Sequence, residues 1–239
     1  MANNYFEFKQ FRIDQDGSAM KVGTDGVLLG AWADISKANR ILDIGTGTGL
    51  IAIMMAQRTD SKTKIDAVEI ELTSYQQAVN NFANCPWTCQ LNAFHLSFQE
   101  FCQSTNQKYD AIVSNPPYFL NGLKAKGESR TQARHADHLP FEELLKGSLE
   151  LLTESGVLSV ILPVEEGEYF ERMARLTGFF LKRKFSVLPN PGKPVKRYLM
   201  EFSVQKCESQ FSDLIVENGQ RHVYSPAYIA LTKDFYLKF

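Results

Sequence analysis

The chain has 239 residues, 44% of them hydrophobic and 22% charged, with a formal net charge of −1. Those values exclude wholesale disorder, a collagen-like repeat, a coiled coil and a globally basic nucleic-acid binder, while leaving room for one basic face. Its longest apolar runs, such as 157–162, are too short to span a bilayer, its N-terminus lacks a secretory pattern, and its four cysteines are scattered, so a reducing cytoplasm is the expected setting.

Residues 1–39 precede the first core strand and form one unit of the expected organisation; residues 40–239 form the other, including the closing strands and tail. RILDIG (40–45) reads as a strand ending in glycines, and TGLIAIMMAQR (48–58) as a helix with a buried face. KIDAVEI (64–70) predicts a second strand, and LTSYQQAVNNFAN (72–84) a helix packed through Ala78, Val79 and Phe82. CQLNAFHL (89–96) and YDAIVSN (109–115) predict two more strands. A long polar loop fills 119–138, and loops of that length are usually functional or mobile. FEELLKGSLELL (141–152) and EEGEYFERMARLTG (165–178) read as helices around the strand GVLSVILP (156–163). FFLKRKFSVLP (179–189) and KRYLMEFSVQ (196–205) close the pattern as a pair of strands. Strands alternating with helices predict an α/β fold with a mainly parallel sheet covered on both faces.

The first strand runs into Asp43-Ile44-Gly45-Thr46-Gly47-Thr48-Gly49. Alternate glycines permit a sharp turn and let a ligand lie against bare backbone near a helix N-terminus. A pyrophosphate would find Asp43 a poor neighbour. A ligand bearing an ammonium, such as the amino-acid part of S-adenosylmethionine, suits it better, directly or through water. Glu69, at the end of the second strand, is placed to accept ribose hydroxyls. Asp43, the glycines and Glu69 together resemble the class I, Rossmann-like methyltransferases, whose sheet has seven strands.

The fourth strand ends in Asn115-Pro116-Pro117-Tyr118. Two prolines cannot continue a sheet, so they fix the chain at its carboxyl edge, where open α/β folds bind ligands. The Asn115 amide oxygen and the Pro116 carbonyl are adjacent acceptors suited to an –NH2 group, and Tyr118 can stack on a planar ring carrying that amine. The tetrapeptide resembles the motif of amino-methyltransferases acting on adenine N6, cytosine N4 or glutamine amide nitrogen.

FKQFRIDQDGSAMKVGTDGVLLGAWA (8–33), NPGKPVKRYLMEF (190–202) and ALTKDFYLKF (230–239) extend the likeness over nearly the whole chain. Together with NPPY they resemble the bacterial tRNA1(Val) adenine-37 N6-methyltransferase family. The resemblance implies S-adenosylmethionine as cofactor, tRNA as substrate, and a pre-core segment over the cofactor site, with Lys21, Thr24 and Asp25 as candidates to contact the cofactor or gate its pocket and Val27, Leu28, Leu29 and Trp32 as packing. Many class I enzymes bond the cofactor adenine through an Asp after the third strand. Here Ser97 takes that position, with Phe98 placed to flank the ring.

Basic residues gather in two places. Lys182, Arg183, Lys184, Lys193, Lys196 and Arg197 run without an intervening acid, and Lys124, Lys126, Arg130 and Arg134 follow the NPPY motif. Both read as phosphate contacts for a splayed single strand. His135, Asp137 and His138, and Cys85 with Cys89, lack the further ligands that a metal site needs. No metal, no membrane and a monomer are expected. The alternatives are a protein glutamine-N5 methyltransferase or another RNA or DNA amino-methyltransferase.

Overall fold

The computed structural model describes residues 4–16, 21–117 and 139–239. A short antiparallel hairpin, β1 (Tyr5–Glu7) and β2 (Arg12–Asp14), comes first, followed by α1 (Thr24–Trp32). The alternating core then runs β3 (Arg40–Ile44), α2 (Leu50–Arg58), β4 (Lys64–Glu69), α3 (Leu72–Ala83), β5 (Leu91–His95), α4 (Phe98–Ser104) and β6 (Tyr109–Ser114). It continues with α5 (Phe141–Leu151), β7 (Leu152–Pro163), α6 (Val164–Thr177), β8 (Phe180–Leu188), β9 (Arg197–Ser203), β10 (Gln210–Ile215) and α7 (Pro226–Thr232).

Among the described residues the main sheet has eight strands, in the order β10-β8-β9-β7-β6-β3-β4-β5. Strands β3 to β7 are parallel to their neighbours among themselves, and β9 inserts antiparallel between β7 and β8. The eighth strand corrects the expectation of seven. β10 pairs with β8 at the edge, and of its residues only Leu214 is fully buried. An edge strand with a solvated face carries no run of apolar side chains, so its sequence did not mark it.

Both faces of the sheet are covered. One hydrophobic cluster joins α1, α2, the N-terminal hairpin and the C-terminal aromatics; the other joins α4, α5 and α6. β3 is buried from Ile41 to Ile44, as a strand packed on both sides must be. The boundary at residue 39 therefore falls inside one continuous core. Val27, Leu28 and Leu29 of α1 are at most 1% exposed, and burial of each side chain contributes roughly 1.5–3 kcal/mol. Arg58 at the end of α2 donates to the carbonyls of Gly30 (2.7 Å) and Ala33 (2.9 Å), answering the free carbonyls at the end of α1. Among the described residues no helix is long and apolar enough to cross a membrane.

One buried side chain ties the hairpin to the core. Asn81 of α3 is 1% exposed. Its Nδ2 donates to the carbonyls of Asp14 (2.9 Å) and Thr48 (2.8 Å), and its Oδ1 accepts from the Asp14 N–H (3.0 Å). The same amide thus holds β2 and the turn entering α2. Asn81→Ala leaves buried backbone groups unpaired and is expected to cost roughly 1–3 kcal/mol. Urea unfolding measures this as a lower midpoint at unchanged slope; an unmoved midpoint would show that the bridge carries no stability.

Candidate active site

A cleft of about 600 Å³ opens at the carboxyl ends of β3, β4 and β6. This is the point where the chain, having laid β4 and β5 to one side of β3, returns to place β6 on the other. Open parallel sheets bind ligands at such reversals because the loops diverge there.

The glycine turn forms the floor. Gly45, Gly47 and Gly49 have φ of 69°, 57° and 84°, the left-handed region that side chains disfavour. The N–H groups of Gly45 and Thr46 both reach the Val68 carbonyl, at 2.9 and 3.2 Å, which anchors the turn on β4. Among the described residues, a Cβ at Gly45 or Gly47 would meet no atom within 4 Å beyond its chain neighbours, so the bare backbone faces open space there. Gly49 differs: a Cβ there would stand 2.5 Å from Phe82 Cε1, and the residue does not line the cleft. It lets α2 approach α3.

Glu69 lines the cleft with its carboxylate held by backbone. Oε2 accepts from Gly47 N–H at 2.8 Å and Oε1 from Glu71 N–H at 2.9 Å. Each oxygen keeps a further lone pair for a ligand hydroxyl.

Asp43 is placed otherwise. It is fully buried, does not line the cleft, and its Oδ2 accepts from Thr46 Oγ1 at 2.6 Å. Oδ1 has no hydrogen-bond partner among the described residues. Burial pushes the Asp43 carboxyl up to about 7, Glu69 adding to the push and Thr46 and Ala52 opposing it. Direct contact with a ligand ammonium is closed by that burial. Asp43 braces the turn from beneath.

The pre-core segment supplies one lip. Lys21, Thr24 and Asp25 all line the cleft, beside Val22 and Gly23. Asp25 Oδ2 accepts from Arg197 Nε at 2.7 Å, so a residue expected at the cofactor and one expected on RNA hold each other. Ser97 corrects its expectation similarly. Its hydroxyl is committed to capping α4, donating to Glu100 Oε2 (2.7 Å) and accepting from Glu100 N–H (3.2 Å), and it does not line the cleft. Phe98 does line it. So do Ile70, Leu96 and Gln99, which no sequence motif marks. Ile70, 44% exposed directly after Glu69, marks that wall only once the strand end is known to face a cleft.

Asn115, Pro116 and Pro117 form the opposite wall. Ser114, just before them, is buried and donates through Oγ to the Ile44 carbonyl at 2.9 Å. Ile44 immediately precedes the glycine turn, so this bond locks the two motifs together across neighbouring strands. Tyr118, Lys124, Lys126, Arg130, Arg134, His135, Asp137 and His138 lie outside the described residues.

The remaining basic run divides by partner. Lys182 (3.1 Å) and Arg183 (2.7 Å) pair with Glu201, which is fully buried, and Arg183 also stacks over Trp32. Lys184 pairs with Glu171 at 2.8 Å and lies over Tyr198. Lys193 and Lys196 are exposed and make no ion pair among the described residues. Among those residues, no group of three or more His, Cys, Asp or Glu is arranged to hold a metal ion.

The methyltransferase small domain family matches residues 21–180. A tRNA1(Val) (adenine(37)-N6)-methyltransferase of Trichodesmium erythraeum is 48% identical over the whole of both chains. One from Bacteroides fragilis is 44% identical, again over both full lengths. The chain belongs to this methyltransferase family. One from Cronobacter sakazakii is 43% identical over 99% of this chain and 96% of its own. Among solved structures, a predicted O-methyltransferase from Agrobacterium tumefaciens superposes with a TM-score of 0.69 at 16% identity, covering 88% of this chain and 96% of that one. The ribosomal protein L11 methylase of Lactobacillus delbrueckii subsp. bulgaricus gives 0.56 at 16% identity, covering 79% and 82%. At such identities these structures establish the Rossmann-like methyltransferase fold.

Two predictions follow from the floor of the cleft. Left-handed backbone costs an alanine about 1–2 kcal/mol, and its Cβ would occupy the ligand's space. Gly47→Ala is therefore expected to weaken S-adenosylmethionine binding about tenfold or more by calorimetry; an unchanged Kd would remove the turn from the binding site. Asp43 binds its proton more tightly folded, near 7, than unfolded, at 3.8. Its contribution to stability is present at low pH, declines as pH rises through that window, and is constant above it. Wild type should lose stability relative to Asp43→Asn over the same window. Parallel pH profiles for the two proteins would contradict that.

Proposed function

We propose that this chain transfers a methyl group from S-adenosylmethionine to the N6 amine of adenine 37 in the anticodon loop of tRNA1(Val). The observation that carries the reading is one cleft faced by the glycine turn with Glu69 on one side and Asn115-Pro116 on the other, braced by the Ser114–Ile44 hydrogen bond. Full-length relatives bearing that name at 43–48% identity supply the choice of substrate.

The residues present fit the cofactor. The open space over Gly45 and Gly47 suits its amino-acid end, Glu69 has lone pairs for ribose hydroxyls, and Ile70, Leu96 and Phe98 provide an apolar slot for adenine. The group supplies a methyl carbon activated by a positively charged sulfur. Lys21 and Thr24, on the lip of the cleft, would help hold it; Asp25, tied to Arg197, holds that lip in place. Ser97 acts indirectly, by capping the helix that presents Phe98.

Asn115 and Pro116 do the work on the acceptor. An aromatic amine is a weak nucleophile because its lone pair is delocalised into the ring. The Asn115 side-chain oxygen and the Pro116 carbonyl, accepting both amino hydrogens, favour pyramidal nitrogen and aim its lone pair into the cleft. Pro117 stiffens the turn, so the acceptors need no reorganisation. Positioning and fixed dipoles carry the catalysis, and no strong general base is required. Tyr118, the aromatic end of the motif, is the candidate platform for the target base. On the outside, Lys193 and Lys196, exposed and without an ion pair among the described residues, are candidates to meet phosphates, with Lys124, Lys126, Arg130 and Arg134 as further candidates.

Incubation with labelled S-adenosylmethionine, total tRNA and total protein, followed by nucleoside analysis, is expected to place label in N6-methyladenosine of tRNA. Label confined to protein would support the glutamine reading instead. Asn115→Ala should abolish transfer while cofactor affinity stays within a few-fold; normal turnover would refute its role. Lys193→Ala should lower the slope of log affinity against log salt by about one for tRNA, and an unchanged slope would take Lys193 off the RNA path.

A further inference from the structure

Beside the methyl-transfer cleft lies a second cavity of about 420 Å³. Thr24 and Asp25 line both, so the first turn of α1 is the wall between them. The two openings lie along one edge of the sheet. β8 and β10 end there, and β9, being antiparallel, begins there with Arg197 opposite Pro163 of β7. A strand of nucleic acid laid along that edge would pass from one to the other.

The lining of the second cavity combines three chemistries. Val187, Pro189 and Val216 give apolar surface, Lys196 and Arg197 are cationic, and Glu217 is a carboxylate. The polar groups are held in place by the fold. Arg197 donates to Asp25 Oδ2 at 2.7 Å and to the Lys196 carbonyl at 2.9 Å. Glu217 accepts from the His222 N–H at 2.9 Å and from Asn190 Nδ2 at 3.3 Å. Asp25 is answered by Arg197, while Lys196 makes no ion pair among the described residues. A ribonucleotide presents matching features: a flat apolar base face, a phosphate, and hydroxyl or amine donors.

We infer that the second cavity receives the nucleotide adjoining the methylated adenosine in the RNA strand. Its base lies against Pro189 and Val216, its phosphate meets Lys196, and Glu217 accepts a hydrogen bond from its ribose hydroxyl or base amine. Extruding a target base draws its neighbour along the backbone, and a seat for that neighbour sets the register of the strand. This inference rests on the RNA reading of the main cleft.

The test uses the full chain and anticodon stem-loops in which the nucleotide on either side of the target adenosine is made abasic. One of the two abasic RNAs is expected to lose about tenfold in kcat/KM, the order of one base contact. Val216→Phe, which fills the cavity, should lower kcat/KM for intact RNA to a similar degree, and the same abasic change should then cost that variant little. Lys196→Ala repeats the test at the surface: a neutral methylphosphonate beside the target should impair wild type but not the variant. Additive losses in both variants, or wild-type indifference to both abasic positions, would overturn the inference while leaving the RNA reading intact. Absence of methylation on every RNA would overturn both.

Discussion

The parallel pairing of β3 with β6 is the constraint on which the site depends. It sets Ile44 level with Ser114, and the Ser114 hydroxyl closes the pair at 2.9 Å. One residue after Ile44 the chain enters the glycine turn; one residue after Ser114 it enters Asn115-Pro116-Pro117. A strand slipped by a single residue would exchange its faces and separate the two walls. The topology that inserts β6 on the far side of β3 from β4 therefore creates the cleft and brings its two chemistries together.

Around that pair, the polar groups serve mainly to hold backbone. Glu69 grips two amides, Asp43 braces Thr46, and Asn81 joins the turn before α2 to the N-terminal hairpin. Such groups are costly to bury unless bonded. Asp43 illustrates the tension: a carboxylate beneath a binding turn supports the turn's shape but is itself strained toward the neutral form. The stiffness gained is what positional catalysis needs, since donors and acceptors already in place require no reorganisation.

Charge on the surface divides in a way that composition conceals. Glu201, buried on β9, collects Lys182 and Arg183 from the paired strand β8, and Arg183 also closes over Trp32 of α1. These cations are structural. Those left toward solvent, Lys193 and Lys196, lie between β8 and β9, and Lys196 lines the second cavity. Arg197 belongs to both groups, since it anchors the lip of one cavity and lines the other.

Much of this protein is legible in its amino-acid order because the relevant physics is local. Alternate glycines after an apolar strand, and paired prolines after another, announce sharp turns through sterics that act within a few residues. The alternation of strands and helices likewise declares a covered parallel sheet, and the extended family motifs identify the chemistry. The hairpin, the edge strand β10 and the short helix α4 escaped, since each is too brief or too solvated to impose a period. What only the folded chain decided were the pairings between distant residues: Asp25 with Arg197, Glu201 with Lys182 and Arg183, Asn81 with Asp14 and Thr48. Ser97 and Asp43 stand where ligand-binding residues were expected, yet a helix cap claims one and burial the other. A carboxylate or hydroxyl has the same letters whether it faces a ligand or a neighbouring strand, and only three-dimensional packing determines which group it meets.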